Sequence, residues 1–228
     1  MTASGFTRSR DERVEWWRAN FPQARVYDDE QRRGVLWNHK RIIDHFVQEA
    51  TDEHMLVVQD DAIPLRGWQD HLEQVIEVAT MYPVSLCHFQ KRGKELWERG
   101  YSFGYSASSL WGQAVLYNRE FATAYAQTVQ DVWTIDPIGF QKSDDGVVVV
   151  HNLVTGNNSS FTTRALFDHA EGHSTLGHIS KGRRPVATIE NTPGQWTSEA
   201  RRHAVPITNY THRTAEMVKA YREQVKSR

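Results

Sequence analysis

An α/β fold, with a mostly parallel central sheet flanked by helices, is what this sequence predicts. Short apolar runs, among them 55–58 and 84–89, alternate with stretches whose apolar residues recur at helical spacing. Two runs, 24–27 and 55–59, end abruptly on paired acids, as strands do where an α/β sheet hands its chain to a ligand-facing loop. The 228 residues are 39% hydrophobic and 24% charged with a net charge of -1, an ordinary globular composition with room for one sizeable core.

Taken in order, residues 10–20 place Val14, Trp17 and Phe21 at helical intervals, with acids early and Arg18 late, and Pro22 closes that helix. Residues 24–29 read as a short strand ending on Asp28 and Asp29. Leu36, Ile42, Ile43 and Phe46 mark a second helix over 34–50, and 55–58 is the next strand. Trp68, Leu72, Val75, Ile76 and Ala79 share one face of a helix over 67–83, stopped at Pro83. A strand follows at 84–89. Residues 90–109 are polar and contain glycine, so they read as a long loop. A strand at 110–118 leads into a helix at 119–133. Residues 146–152 fit a strand or the start of a helix, and 164–170 a strand ending in Asp168 and His169. From about 191 the chain turns polar and basic and reads as a C-terminal extension, leaving one domain over 1–190 and the extension over 191–228.

Several function classes are excluded as expectations. No apolar leader opens the chain and no stretch approaches the length of a membrane span, so a cytoplasmic protein is expected. The single cysteine, Cys87, lies in an apolar run and reads as core rather than as a nucleophile. The balanced charge argues against massive non-specific nucleic-acid binding, though not against a local basic patch.

The acids carry the chemistry. Asp60 and Asp61 follow four apolar residues directly, where a carboxylate pair can hold a hard divalent cation against a phosphate; a turn before Pro64 is the plainer use. Asp28 and Asp29 can accept from a ribose or base, or simply form a surface turn. Asp144 and Asp145 precede Gly146 and can serve as a general base or as a helix cap. Ser174 and Thr175 offer hydroxyls to a phosphate or to their own loop. His169, His173 and His178 have spacing reminiscent of a zinc site, but glycines break any helix there and no cysteine assists. Arg8 can clamp a phosphate or belong to a loose terminus.

In "LWNHKRIIDHF" (36–46) followed by "MLVVQDDAIPLRGWQDHLEQVI" (55–76), the chain resembles glycosyltransferases of the GT-A fold, in particular small bacterial and phage transferases of the lipopolysaccharide-biosynthesis type. "LWGQAVLYNREFATAYAQ" (110–127) and "LFDHAEGHSTLGH" (166–178) are similar to later segments of that family, so the resemblance spans roughly residues 10–180. Gln59 stands where the family more commonly has Glu, and the first strand is poorly defined around residues 1–10.

The resemblance implies a GT-A-like (Rossmann-like) sheet and a sugar transfer from a nucleoside-diphosphate sugar, UDP-sugar favoured, to an acceptor hydroxyl. It implies Mn²⁺ or Mg²⁺ on Asp61 and His169, His39 lining the donor site, with helix packing as its alternative, and an acid at Asp144 or Asp145 as base. Asp60 is expected near the ribose or a metal-bound water. The acceptors it implies are a 5-hydroxymethylated pyrimidine in DNA, as for a phage-encoded enzyme in the host cytoplasm, or a surface glycan. Arg201, Arg202, Arg213, Lys219 and Arg222, interleaved with Tyr210 and Tyr221, are expected either to meet DNA or to form a solvated terminal helix. A metal phosphoesterase or nuclease and a non-catalytic nucleotide-binding module are the competing classes.

Overall fold

The structure, a computed structural model, describes residues 2–5, 10–29, 31, 33–78, 82–87, 92–107, 112–135, 144–169, 172–173, 179–180, 187–190, 196, 202–204 and 212–226. In chain order the elements are β1 (Thr2–Gly5), α1 (Arg10–Asn20), β2 (Arg25–Asp28), α2 (Val35–Gln48), β3 (His54–Gln59), β4 (Ala62–Pro64), α3 (Trp68–Val78), β5 (Val84–Ser85) and α4 (Arg92–Glu98). They continue as β6 (Phe103–Ser106), β7 (Ala114–Asn118), α5 (Arg119–Ile135), α6 (Asp144–Thr155), β8 (Ser159–Thr162), β9 (Phe167–His169), β10 (Gly172–His173), β11 (Ile179–Ser180), β12 (Arg202–Ala204) and α7 (His212–Lys226).

Side-chain alternation sorts the core into two layers. β3 sends Met55 and Val57 to one face of the sheet and Leu56 and Val58 to the other; β7 divides Val115 and Tyr117 from Ala114 and Leu116 in the same way. The first face is covered by α2, α5, α6 and α7, through residues such as Ile42, Tyr125, Val147 and Met217. The second is covered by α1 and α3, through Trp17, Phe21, Trp68 and Val75. Four consecutive valines form α6 rather than a strand because burial of Val147, Val148 and Val150 outweighs their modest helix propensity.

The main sheet has the order β12-β6-β8-β5-β7-β3-β1-β2. Its pairings are parallel for β2–β1, β1–β3, β5–β8 and β6–β12, and antiparallel for β3–β7, β7–β5 and β8–β6. Two small antiparallel ribbons, β4–β9 and β10–β11, stand beside it. Among the described residues five of nine pairings are therefore antiparallel, and the expected mostly parallel sheet is corrected to a mixed one. Part of the cause lies in 90–109, read from sequence as a loop, which contains α4 and β6. With 7 residues, α4 is about 10 Å long, too short to carry the chain back across the sheet, so β6 runs against β8.

The segment from 191 onward, expected as an extension, contributes to the main body. β12 pairs with β6, Trp196 lies in the second apolar layer, and α7 buries Met217 and Val218 in the first. Tyr221, a candidate for base stacking, packs on that first layer, and Arg222 Nη2 donates to the Leu153 carbonyl at 3.0 Å. Tyr210 lies outside the described residues. No helix among the described residues is long and apolar enough to cross a membrane.

The topology also sets out an edge. β1, β2, β3, β5 and β8 run in one direction, so their carboxyl ends lie together. The register sets Gly5 beside Asp28 and Ser4 beside Gln59, so Asp28–Asp29 and Asp60–Asp61 leave the sheet along this edge. α6 ends just before β8 begins at the opposite edge, so its first residues, Asp144 and Asp145, lie toward the same carboxyl edge.

Two buried details make the fold testable. Gly104 of β6 is directly opposite Phe161 of β8, and a Cβ at Gly104 would collide with that ring. Gly104→Ala is expected to lower stability by about 2 kcal/mol, read as a drop in the urea midpoint. His151 of α6 is buried against Phe121 and Tyr125 and shares a hydrogen bond with Thr128 Oγ1 at 2.8 Å. Burial lowers its pKa from 6.5 to about 4, so the folded state holds it neutral. The unfolded chain takes up the proton first, so this contribution is complete above about pH 6.5 and is lost as pH falls through about 4. Thermal melts across that window should show an acid-labile component on the order of 3 kcal/mol that His151→Gln removes.

Candidate functional site

The strand β3 ends at Gln59, and the chain turns at Asp60 and Asp61 into β4. Pro64 is tolerated at the end of this short strand because a ribbon edge needs no donor there. β4 pairs antiparallel with β9, setting Ala62 opposite His169, Ile63 opposite Asp168 and Pro64 opposite Phe167. The small side chain of Ala62 leaves room for the facing imidazole to reach back along the ribbon. Asp61 and His169, 108 residues apart in sequence, meet there, with His169 Nε2 3.0 Å from Asp61 Oδ2.

The ribbon is fastened on several sides. Leu166 N donates to the Leu86 carbonyl at 2.8 Å, Leu65 N to the Leu166 carbonyl at 3.1 Å, and Arg66 N to Glu190 Oε1 at 2.9 Å. Phe167 packs on Trp68, Trp68 on Phe21, and Phe21 on Trp17. Aromatic contacts thus run from β9 to α1, and the Asp61–His169 pair hangs on a rigid support.

The pair sits at the solvent boundary, with side-chain exposures of 33% for Asp61 and 12% for His169. Oδ1 of Asp61 is shielded and accepts no hydrogen bond among the described residues. Asp60 beside it is buried, and Asp168 Oδ1 accepts from the His169 amide at 2.8 Å. The residues fit a divalent cation in two respects. Adjacent ligands of an octahedral ion at about 2.1 Å stand about 3.0 Å apart, and an orphaned carboxylate oxygen is available. The same 3.0 Å also serves a hydrogen bond in which Nε2–H donates to the carboxylate. Among the described residues no third His, Cys, Asp or Glu joins the pair to complete a protein-only metal cluster.

Other candidates fall elsewhere. Asp29 is occupied with the backbone: its carboxylate accepts from Arg33 N at 2.8 Å and Gly34 N at 2.7 Å, closing the turn into α2. Asp28 stands exposed at the end of β2. His39 is buried between Tyr117 and Tyr125, on the α2–α5 side of the sheet. That is the helix-packing place that its spacing from Ile42 and Ile43 allows. Asp145 is half-buried in the first turn of α6; the Asp144 side chain is outside the described residues, as are Arg8, Ser174, Thr175, His178 and the His173 side chain.

Cys87 is fully buried beyond β5. Burial first, then the negative charges of Asp61 and Asp168, push its thiol pKa up, so it is no nucleophile and stands as core, as its apolar run predicts.

One cluster was not foreseen. Arg164, just before β9, is wholly buried, with its guanidinium carbon 3.7 Å from the Trp97 ring and 4.6 Å from the Trp196 ring. Burial lowers its pKa to about 10. Trp196 also stacks on Phe103, and its Nε1–H donates to His71 Nδ1 at 2.8 Å. That bond fixes the neutral His71 tautomer with its proton on Nε2. Burial and the Arg164 charge lower the His71 pKa, with Asp70 opposing them. The available signal was an arginine set between "SSFTT" and "ALF", in a chain with eight tryptophans to receive it.

No family model matches this chain, and no curated protein matches it at a significant level.

Labelling with a thiol reagent at pH 8 tests the placement of Cys87. The folded protein should react at least 100-fold more slowly than the urea-unfolded chain, and equal rates would contradict a buried, charge-shielded thiol.

Proposed function

We propose that this chain is a metal-dependent glycosyltransferase of GT-A-like arrangement, moving a sugar from a nucleoside-diphosphate sugar to an acceptor hydroxyl. The observation that carries this reading is the meeting of Asp61 and His169 at the carboxyl edge of the sheet, with one Asp61 oxygen accepting no hydrogen bond among the described residues. In α/β sheets this edge is where ligands bind. Two protein ligands leave coordination positions for phosphate oxygens and water, the usual situation for Mg²⁺ at a nucleotide site.

Bound there, Mn²⁺ or Mg²⁺ supplies positive charge against the diphosphate as it leaves. The remaining roles belong to the chain. Asp61 and His169 hold the ion, and the β4–β9 ribbon fixes their separation. Asp28, at the end of β2 on the same edge, accepts from the nucleoside. Asp144 or Asp145, at the start of α6, takes the proton of the attacking hydroxyl. The acceptor hydroxyl is that of a 5-hydroxymethylated pyrimidine in DNA; transfer to saccharides alone would reassign it to a surface glycan.

Calorimetry with Mn²⁺ alone and with Mn²⁺ plus UDP tests the site. Binding should be weak for the metal alone and at least 10-fold tighter with the nucleotide, because the diphosphate completes the coordination shell. Asp61→Asn should remove that enhancement and lower nucleotide-sugar turnover on the order of 100-fold. Equal Mn²⁺ affinity with and without UDP would sink the reading.

A further inference from the structure

A row of arginines and aromatic rings runs along the outer edge of the main sheet. Arg25 and Tyr27 lie on β2, the edge strand; Arg33 stands just before α2, and Trp37 and Arg41 lie on it. Their contacts alternate. The Arg25 guanidinium is 5.3 Å from the Tyr27 ring, Arg41 is 5.5 Å from Tyr27 and 4.6 Å from Trp37, and Arg33 is 4.9 Å from Trp37. All three arginines are exposed, whereas Tyr27 is buried and Trp37 half-buried, so the rings form the floor and the cations the surface.

The charges on this row are poorly neutralised. Arg25 is 3.6 Å from Glu49 and also bonds to His45. Among the described residues neither Arg33 nor Arg41 forms an ion pair. Arg41 donates instead to the Asp28 carbonyl at 3.1 Å and to Asn38 Oδ1 at 3.3 Å. Asp29, four residues before Arg33, turns its carboxylate to backbone amides, and Glu30 lies outside the described residues. Two guanidiniums sharing one indole without a carboxylate between them repel each other, and an external anion relieves that repulsion.

From this row we infer a binding surface for the phosphodiester backbone of a nucleic acid. Its extended shape decides between ligands: a mononucleotide would meet only one end, whereas a polynucleotide presents phosphates in series. Arginines interleaved with aromatic rings are the composition that single-stranded nucleic-acid surfaces use. The inference deepens the acceptor side of the glycosyl-transfer reading, but the binding it asserts needs neither metal nor sugar donor.

Fluorescence anisotropy of a labelled single-stranded oligonucleotide, without metal or nucleotide-sugar and across a range of salt, tests it. The wild-type chain should bind with an affinity that falls with salt. Arg33→Gln with Arg41→Gln should weaken binding at least 10-fold and reduce the slope of log K against log salt by about 1.4, the counterions of two phosphates. Arg33→Lys with Arg41→Lys should keep most of the affinity, which separates lost charge from lost folding. Calorimetry with UDP should give the same affinity in wild type and in the double Gln variant. Four results would each overturn the inference. They are no oligonucleotide binding by the wild type, unchanged binding in the double Gln variant, tighter binding of heparin than of the oligonucleotide, and loss confined to a Lys219→Ala, Arg213→Ala variant of the C-terminal segment. Because the assay omits metal and donor, its failure leaves the Asp61–His169 reading standing, and a failed Mn²⁺–UDP titration leaves this one standing.

Discussion

The arrangement of the carboxyl edge depends on the pairing of two three-residue strands. β4 and β9 are too short to be stable alone, since an isolated two-stranded ribbon is marginal in water. What holds them is the packing beneath: Phe167 on Trp68 and the backbone bonds of Leu65, Leu166 and Leu86. A one-residue slip in this pairing would put Asp168 opposite Ala62 and turn His169 to the other face. The chemistry of Asp61 therefore rests on a register that apolar residues some distance from it enforce. This division of labour, polar groups at the tip and aromatics at the base, lets a half-exposed carboxylate keep a fixed partner.

The two arginine clusters show how surroundings assign different work to one side chain. Arg164 is wholly buried, where a cation is costly unless it is compensated, and indoles on two sides offer their negative faces. It joins Trp97 of α4 and Trp196 of the C-terminal segment at a position just before Ala165, at the root of β9. Arg33 and Arg41 meet a similar ring, Trp37, from the solvent side. They lose little hydration and keep donors for an outside partner. Burial, rather than the Arg–Trp contact itself, separates an internal fastener from a surface that recruits.

Much of the first half of the chain was legible because its signals are periodic. α1, α2 and α3 formed where apolar spacing placed them, and β3 ended on the acids that the abrupt change in polarity marked. The pairing of Asp61 with His169 followed from a resemblance carried by two short motifs, and spacing alone gave no reason for residues 108 positions apart to meet. Other features were hidden for identifiable reasons. β8 is a central strand, yet it reads Ser159, Ser160, Phe161, Thr162. Its hydroxyls are buried because partners reach them: Asn152 Nδ2 donates to Ser159 Oγ at 2.7 Å, and Thr162 Oγ1 reaches the Ser85 carbonyl at 3.5 Å. Polarity is a poor guide to exposure where a hydrogen bond replaces water. β6 was hidden by Gly104, which reads as a loop residue but is needed where Phe161 crosses the sheet.

The same logic accounts for the C-terminal segment. Its composition is basic and polar, and composition alone argues for a solvated tail. Yet a few residues suffice to bind a segment to a core: Trp196 on one face, Met217 and Val218 on the other, and a three-residue strand at the sheet edge. Each aromatic or aliphatic group buried there is worth on the order of 2 kcal/mol, more than the exposed charges around it contribute in water. The charged majority sets the average, but the apolar minority sets the position. Tyr221 and Arg222 are drawn inward with it, toward α6 and the Leu153 carbonyl, whereas Arg33 and Arg41 at the β2–α2 edge stay exposed over Trp37.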